Sequence, residues 1–148
     1  YVLENYDGKI SLTGHSAGGH LVSRMVSADQ WKRSNLRSDL LNRLNHVVAI
    51  SPITDLRPLL KTSMNNKFKL NYNTAEQESP VFHTKINVPF SVFVGENERP
   101  AFISQAKYLS QAWSCSKIIV NGKHHFNVLD DLENERSDLV ALLTKTCS

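Results

Sequence analysis

Cysteine is scarce in this sequence: 148 residues hold only Cys115 and Cys147. The two lie far apart, with no C-x-x-C and no metal-ligand spacing, which excludes a disulfide scaffold and a cysteine-built metal centre. Read as two unpaired thiols, they suit a reducing, cytoplasmic setting. No window approaches the roughly 18 to 20 apolar residues of a membrane helix. There is no Lys/Arg run and no basic stripe interleaved with aromatics, so a net charge of +3 offers no footprint for nucleic acid. Internal repeats and low-complexity tracts are also lacking. The first residues, Tyr1-Val2-Leu3-Glu4, show neither a Met nor a signal-like region. They read as a chain entered in the middle of a helix, and the expectation is a part of a longer protein.

What is present is an alternation of short apolar runs with longer helical ones. Lys9 to Gly14, His46 to Ser51, Pro89 to Gly95 and Lys117 to Val120 are predicted strands. Leu21, Val22, Met25 and Val26 recur at helical spacing after the first run. Phe102, Ala106, Leu109 and Trp113 form one stripe of a helix spanning 101–113, with Pro100 suited to its first turn. The tail from about Val128 to Thr146 reads as one helix. The polar stretch Asn65 to Pro80 reads as an excursion outside the sheet. Strand-helix alternation with continuous apolar strands predicts an α/β fold: a mostly parallel sheet with helices on both faces, in one domain over 1–148.

Between the first strand and the first helix stands Gly14-His15-Ser16-Ala17-Gly18-Gly19, which fits G-x-S-x-G. In such an elbow the serine occupies a strained strand-to-helix turn that exposes its Oγ, and the next residue's N–H faces a developing oxyanion. Ser16 is the candidate nucleophile and Ala17 the candidate oxyanion donor. The small residues at 14 and 18 are expected to let neighbouring backbone approach. Gly-Ser-Gly clusters also make plain turns, and a chance match in a chain this long is about one in twenty. The flanking strand and helix reduce that further.

A serine nucleophile needs a base, itself oriented by an acid, in the chain order Ser, acid, His. His15 and His20 precede any acid, His46 opens a strand, and His83 follows a Ser-Pro turn. His124 and His125 alone follow the last predicted strand, and the spacing leaves both open. Glu98 sits at the G-x-x-(D/E) offset after Gly95 and is the candidate acid, with Glu96 its near competitor. Asp55 is a more distant one, better read as a turn or cap residue ahead of Leu56 to Leu60.

With these residues placed, the chain resembles the C-terminal half of the kynurenine formamidase (arylformamidase)-like esterases of the α/β-hydrolase superfamily. The resemblance is carried by Gly14-His15-Ser16-Ala17-Gly18-Gly19-His20-Leu21 and by Ser51-Pro52-Ile53-Thr54-Asp55-Leu56-Arg57-Pro58-Leu59. Met64-Asn65, Glu78-Ser79-Pro80, Val94-Gly95-Glu96-Asn97-Glu98, Phe102-Ile103-Ser104-Gln105 and His125-Phe126-Asn127-Val128-Leu129-Asp130 continue it. It implies a catalytic His before Phe, hence His125, and an acid at Glu98, where many relatives carry Asp. It implies cleavage of small acyl esters or aryl formamides with no metal and no organic cofactor. The family's His-Gly-Gly oxyanion loop has no counterpart in Tyr1 to Asp7, so the N-terminal strands and that loop are expected to be missing from this chain. The expected partner is a small-molecule ester or formamide, with no nucleic acid and no membrane, and a homodimer is left open. A general short-chain carboxylesterase and a non-catalytic α/β-hydrolase relative or gene fragment acting as a binding module are the alternatives.

Overall fold

Four apolar runs form the strands of the computed structural model, which describes residues 2–34 and 41–144. They are β1 (Ile10–His15), β2 (Leu44–Ile50), β3 (Phe90–Gly95) and β4 (Ser116–Val120). All pair in parallel in the order β1-β2-β3-β4, with His15 beside Ile50, Ile50 beside Phe93 and Gly95 beside Val120. Parallel neighbours need long crossovers. The helices are α1 (Val2–Asn5), α2 (Ala17–Met25), α3 (Ala28–Ser34), α4 (Asn65–Phe68), α5 (Tyr72–Gln77), α6 (Pro100–Ala112) and α7 (Asp138–Thr144).

Successive strand residues point to opposite faces, and here both faces are covered. Val47, Ala49, Val92 and Val94 pack with Val22 of α2, with Val26 just after it, and with Ala106 and Leu109 of α6. Val48, Ile50 and Phe93 pack on the other side with Val128 and with Leu139 of α7. This is the expected α/β arrangement with helices on both faces.

Three readings are refined. Of the four apolar residues at helical spacing, Val22 on α2 and Val26 at its end are buried, whereas Leu21 and Met25 are exposed. The stretch 65–80 contains no strand, but it holds α4 and α5 and is fastened to α2. Buried Arg24 bonds Asp29 with two nitrogens (3.1 Å each) and Glu78 with its Nε (3.2 Å). Burial alone would raise the Asp29 carboxyl, but these Arg24 bonds hold it below the usual carboxylate range. The predicted tail helix is two pieces, a 3-10 segment Asn127–Glu133 and α7. Asn134 Oδ1 accepts from the Arg136 amide (3.0 Å) and Ser137 Oγ from the Val140 amide (3.1 Å). These side chains turn the backbone and then cap the next helix, so the first cannot run through. Residues 145–148, with Cys147, lie outside the described residues.

Cys115 is unpaired and packs against the first core cluster. Burial pushes its thiol up to about 11, so it stays protonated and inert at neutral pH. Among the described residues no helix is long and apolar enough to cross a membrane, and no cluster of three His, Cys, Asp or Glu is set to hold a metal.

Candidate active site

The elbow forms because β1 runs straight into α2 with Ser16 as the single hinge residue. Ser16 has φ of 57° and ψ of −113°, a left-handed backbone that non-glycine residues hold only when neighbours enforce it. Its N–H donates to the Ile50 carbonyl (2.9 Å) and its carbonyl accepts from His20 N–H (3.0 Å). Although Ser16 occupies the cap position of α2, its side chain makes no capping bond, leaving the hydroxyl uncommitted. Ala17 opens α2, and a helix N-terminus presents amide donors to negative charge.

The glycines sort differently from the sequence reading. A Cβ on Gly14 would lie 2.2 Å from the Gly18 carbonyl oxygen, and one on Gly19 would lie 2.9 Å from Pro52 Cα. A Cβ on Gly18 would meet nothing within 4 Å. Gly14 and Gly19, not Gly18, therefore need to be glycine for space. Gly14→Ala is expected to lower unfolding stability by about 3 kcal/mol, the upper range for overpacking. Gly18→Ala lies within a helix and should leave stability unchanged or raise it by up to about 1 kcal/mol. Urea unfolding of the two variants checks that order.

The loop after β4 delivers the histidine. Gly122 turns it with φ of +69°, and Lys123 passes so close to β3 that a Cβ on Gly95 would lie 2.4 Å from the Lys123 carbonyl oxygen. That carbonyl accepts from the Asn97 amide (2.8 Å). The half-buried His125 is thereby brought to Glu98, with 2.8 Å between Nδ1 and Oε2. The Glu98 side chain is fully buried. Its other oxygen, Oε1, accepts from the Gly95 amide (2.9 Å) and from the hydroxyl of Ser51. These donors satisfy the carboxyl where water does not reach it. Phe102 lies 4.0 Å from the His125 ring, tilted by 30°, and fixes the plane of the imidazole.

The competitors are placed elsewhere. Glu96 Oε2 accepts from the Gly122 amide (2.9 Å) and braces the loop from outside. His124 is exposed and turns inward on its own loop, its Nδ1 accepting from the Phe126 amide (3.2 Å). Asp55 pairs with Arg57 (2.8 Å) and accepts its backbone N–H (3.0 Å), which starts the 3-10 turn Arg57–Lys61. Burial would raise the Asp55 carboxyl, but the Arg57 bonds keep it below the usual range. A shallow groove near Asp55, Arg57 and Tyr72 is lined by none of Ser16, Glu98 or His125.

Ser16 and His125 are neighbours through His15. The His15 ring lies 4.5 Å from that of His125, and its Nε2–H donates to the His125 carbonyl (2.7 Å). Burial lowers the His15 pKa, so an uncharged ring adjoins His125. No hydrogen bond joins Ser16 Oγ to His125 among the described residues; such bonds are often long before substrate binds. Chain order set His15 aside in the sequence, and nothing in its spacing announces the contact. Ser51 likewise carries no local signal.

A parallel sheet with an elbow serine after β1, a carboxylate after β3 and a histidine after β4 is the α/β-hydrolase arrangement, and this chain has that fold. It is 47% identical to a protein of Silicibacter sp. described as a candidate thioesterase, with a TM-score of 0.87 over 96% of this chain and 53% of that one. Esterase 2 of Thermogutta terrifontis superposes with a TM-score of 0.58 at 18% identity, covering 93% of this chain and 58% of that one, a likeness of fold alone. In sequence the chain is similar to kynurenine formamidases. It is 29% identical over 145 residues to that of Danio rerio and 29% over 146 to that of Salmo salar, each match covering 90% of this chain and 48% of the relative. The chain thus spans about half the length of the relatives it matches. No family model matches it.

Proposed function

We propose that this chain carries the Ser-His-acid machinery of a serine hydrolase that cleaves aryl formamides of the N-formylkynurenine type or small acyl esters. His125 takes the proton of Ser16 Oγ as that oxygen attacks the substrate carbonyl. The imidazolium formed is stabilised by buried Glu98 and then gives its proton to the leaving amine or alcohol. Water, deprotonated by His125, releases the formyl or acyl group and restores Ser16. The Ala17 amide is one oxyanion donor. A full hole needs a second, which we assign to the part of the relatives that this chain does not span.

The observation that carries the reading is the bond between His125 and buried Glu98 beside His15, the residue before an elbow serine whose hydroxyl has no partner among the described residues. Aryl formamides are favoured over plain short-chain esters by the likeness to kynurenine formamidases and by the aromatic wall of Phe102 at His125. Two cysteines without pairing spacing favour a reducing, cytoplasmic setting.

Labelling with a fluorophosphonate serine probe, read by mass spectrometry beside a Ser16→Ala control, tests this. Modification confined to Ser16 is the expected result. A folded chain that takes up no probe would turn the reading to a non-catalytic relative.

A further inference from the structure

Ser51 follows β2 and is fully buried, yet its φ is +46°. Glycine adopts that conformation freely, whereas a residue with a Cβ does so under strain. Something at this position therefore requires the side chain. Its hydroxyl donates to Glu98 Oε1, the carboxylate oxygen that His125 does not use.

The backbone around it ties the site together. Ser51 N–H donates to the Phe93 carbonyl (2.7 Å), and the preceding Ile50 carbonyl accepts the Ser16 amide (2.9 Å). One dipeptide, Ile50-Ser51, thus grips the nucleophile on the β1 side and the acid on the β3 side. Gly19 closes on the next residue, Pro52, from above.

We propose that Ser51 is a positioning residue of the hydrolytic site. Its left-handed turn aims the hydroxyl at Oε1 and so keeps Oε2 on His125 Nδ1. Ser51 is buried away from any substrate, and it acts through Glu98. With the hydroxyl removed, Oε1 keeps only the Gly95 amide in a place without water, and the carboxylate can turn off the imidazole. This inference rests on the catalytic reading above.

Two substitutions separate the hydroxyl from the backbone. Ser51→Gly and Ser51→Ala both remove the donor, but only glycine relieves the left-handed strain. The expected result is a fall in kcat of roughly ten- to hundredfold in both, the rate equivalent of one hydrogen bond to a charged group, with KM little changed. The melting temperature of Ser51→Gly should equal or exceed that of Ser51→Ala, so activity and stability part company. The low-field Nδ1 proton of His125, read by NMR without turnover, should be lost in both variants.

If Ser51 served only the chain's conformation, Ser51→Gly would keep the parent kcat, labelling rate and proton signal, and that result would overturn the proposal. A folded parent chain that the fluorophosphonate probe fails to label at Ser16 would overturn the catalytic reading and the positioning role with it. A labelled parent with an equally fast Ser51→Gly overturns the positioning role alone.

Discussion

Replacing His125 with alanine is expected to reduce kcat toward an aryl formamide by up to about a millionfold, the loss that removal of the base causes in subtilisin. His124→Ala should stay within about threefold of the parent, since an exposed side chain that touches neither Ser16 nor Glu98 contributes about 0.5 kcal/mol or less. The contrast is sharp because the two residues are adjacent and chemically identical. They differ in where the loop aims them: His125 meets Glu98 at 2.8 Å, while His124 Nδ1 is taken by the Phe126 amide. Initial rates of both variants, with circular dichroism to show that each is folded, decide the matter. A dead His124→Ala beside an active His125→Ala would reverse the assignment.

The second large effect is expected at Glu98. Glu98→Gln keeps the shape of the side chain, so packing and stability change little, but kcat should fall by about 10⁴. The reason lies in the donors on Oε1. The Gly95 amide and the Ser51 hydroxyl demand an acceptor there, so the new amide would place its oxygen on them and its NH₂ toward His125. The imidazole then faces a donor at Nδ1, moves its proton to Nε2 and cannot take one from Ser16. Glu96→Gln, by contrast, alters an exposed brace to Gly122 and should leave kcat close to the parent value. Rates measured with a formamide and with an acetyl ester test both. A wild-type rate in Glu98→Gln would remove the acid from the mechanism.

The sequence made the frame of this site readable, and its limits are instructive. Four apolar runs separated by helical periodicity were enough for the parallel sheet, because strands covered on both faces must be apolar throughout. G-x-S-x-G was legible because its setting, strand before and helix after, is itself a pattern. Spacing offered Glu98 without separating it from Glu96, since the choice depends on which carboxylate the turn after β3 buries. Neither His15 nor Ser51 could be found this way. Each acts on a residue dozens of positions away, and a histidine or serine at a strand end carries no periodicity. The division of the tail was missed although Asn134 and Ser137 are recognisable turn and cap residues. There the apolar residues of the tail mask the polar signal. Gly18 has open space around it although the motif names it, because a motif letter says nothing about which glycine another backbone approaches.

The strands enter the sheet in the order in which they occur in the chain, and the candidate catalytic groups follow three of the four. Ser16 follows the first strand, Glu98 the third and His125 the fourth. None of these groups meets another until ladders between residues far apart in sequence have closed, and such long-range parallel pairing is slow. Under the mechanism proposed above, a chain whose β3 and β4 have yet to pair carries the elbow without its base, and turnover waits for that pairing. Hydrolysis during refolding would then act as a clock for completion of the sheet, silent through every earlier stage.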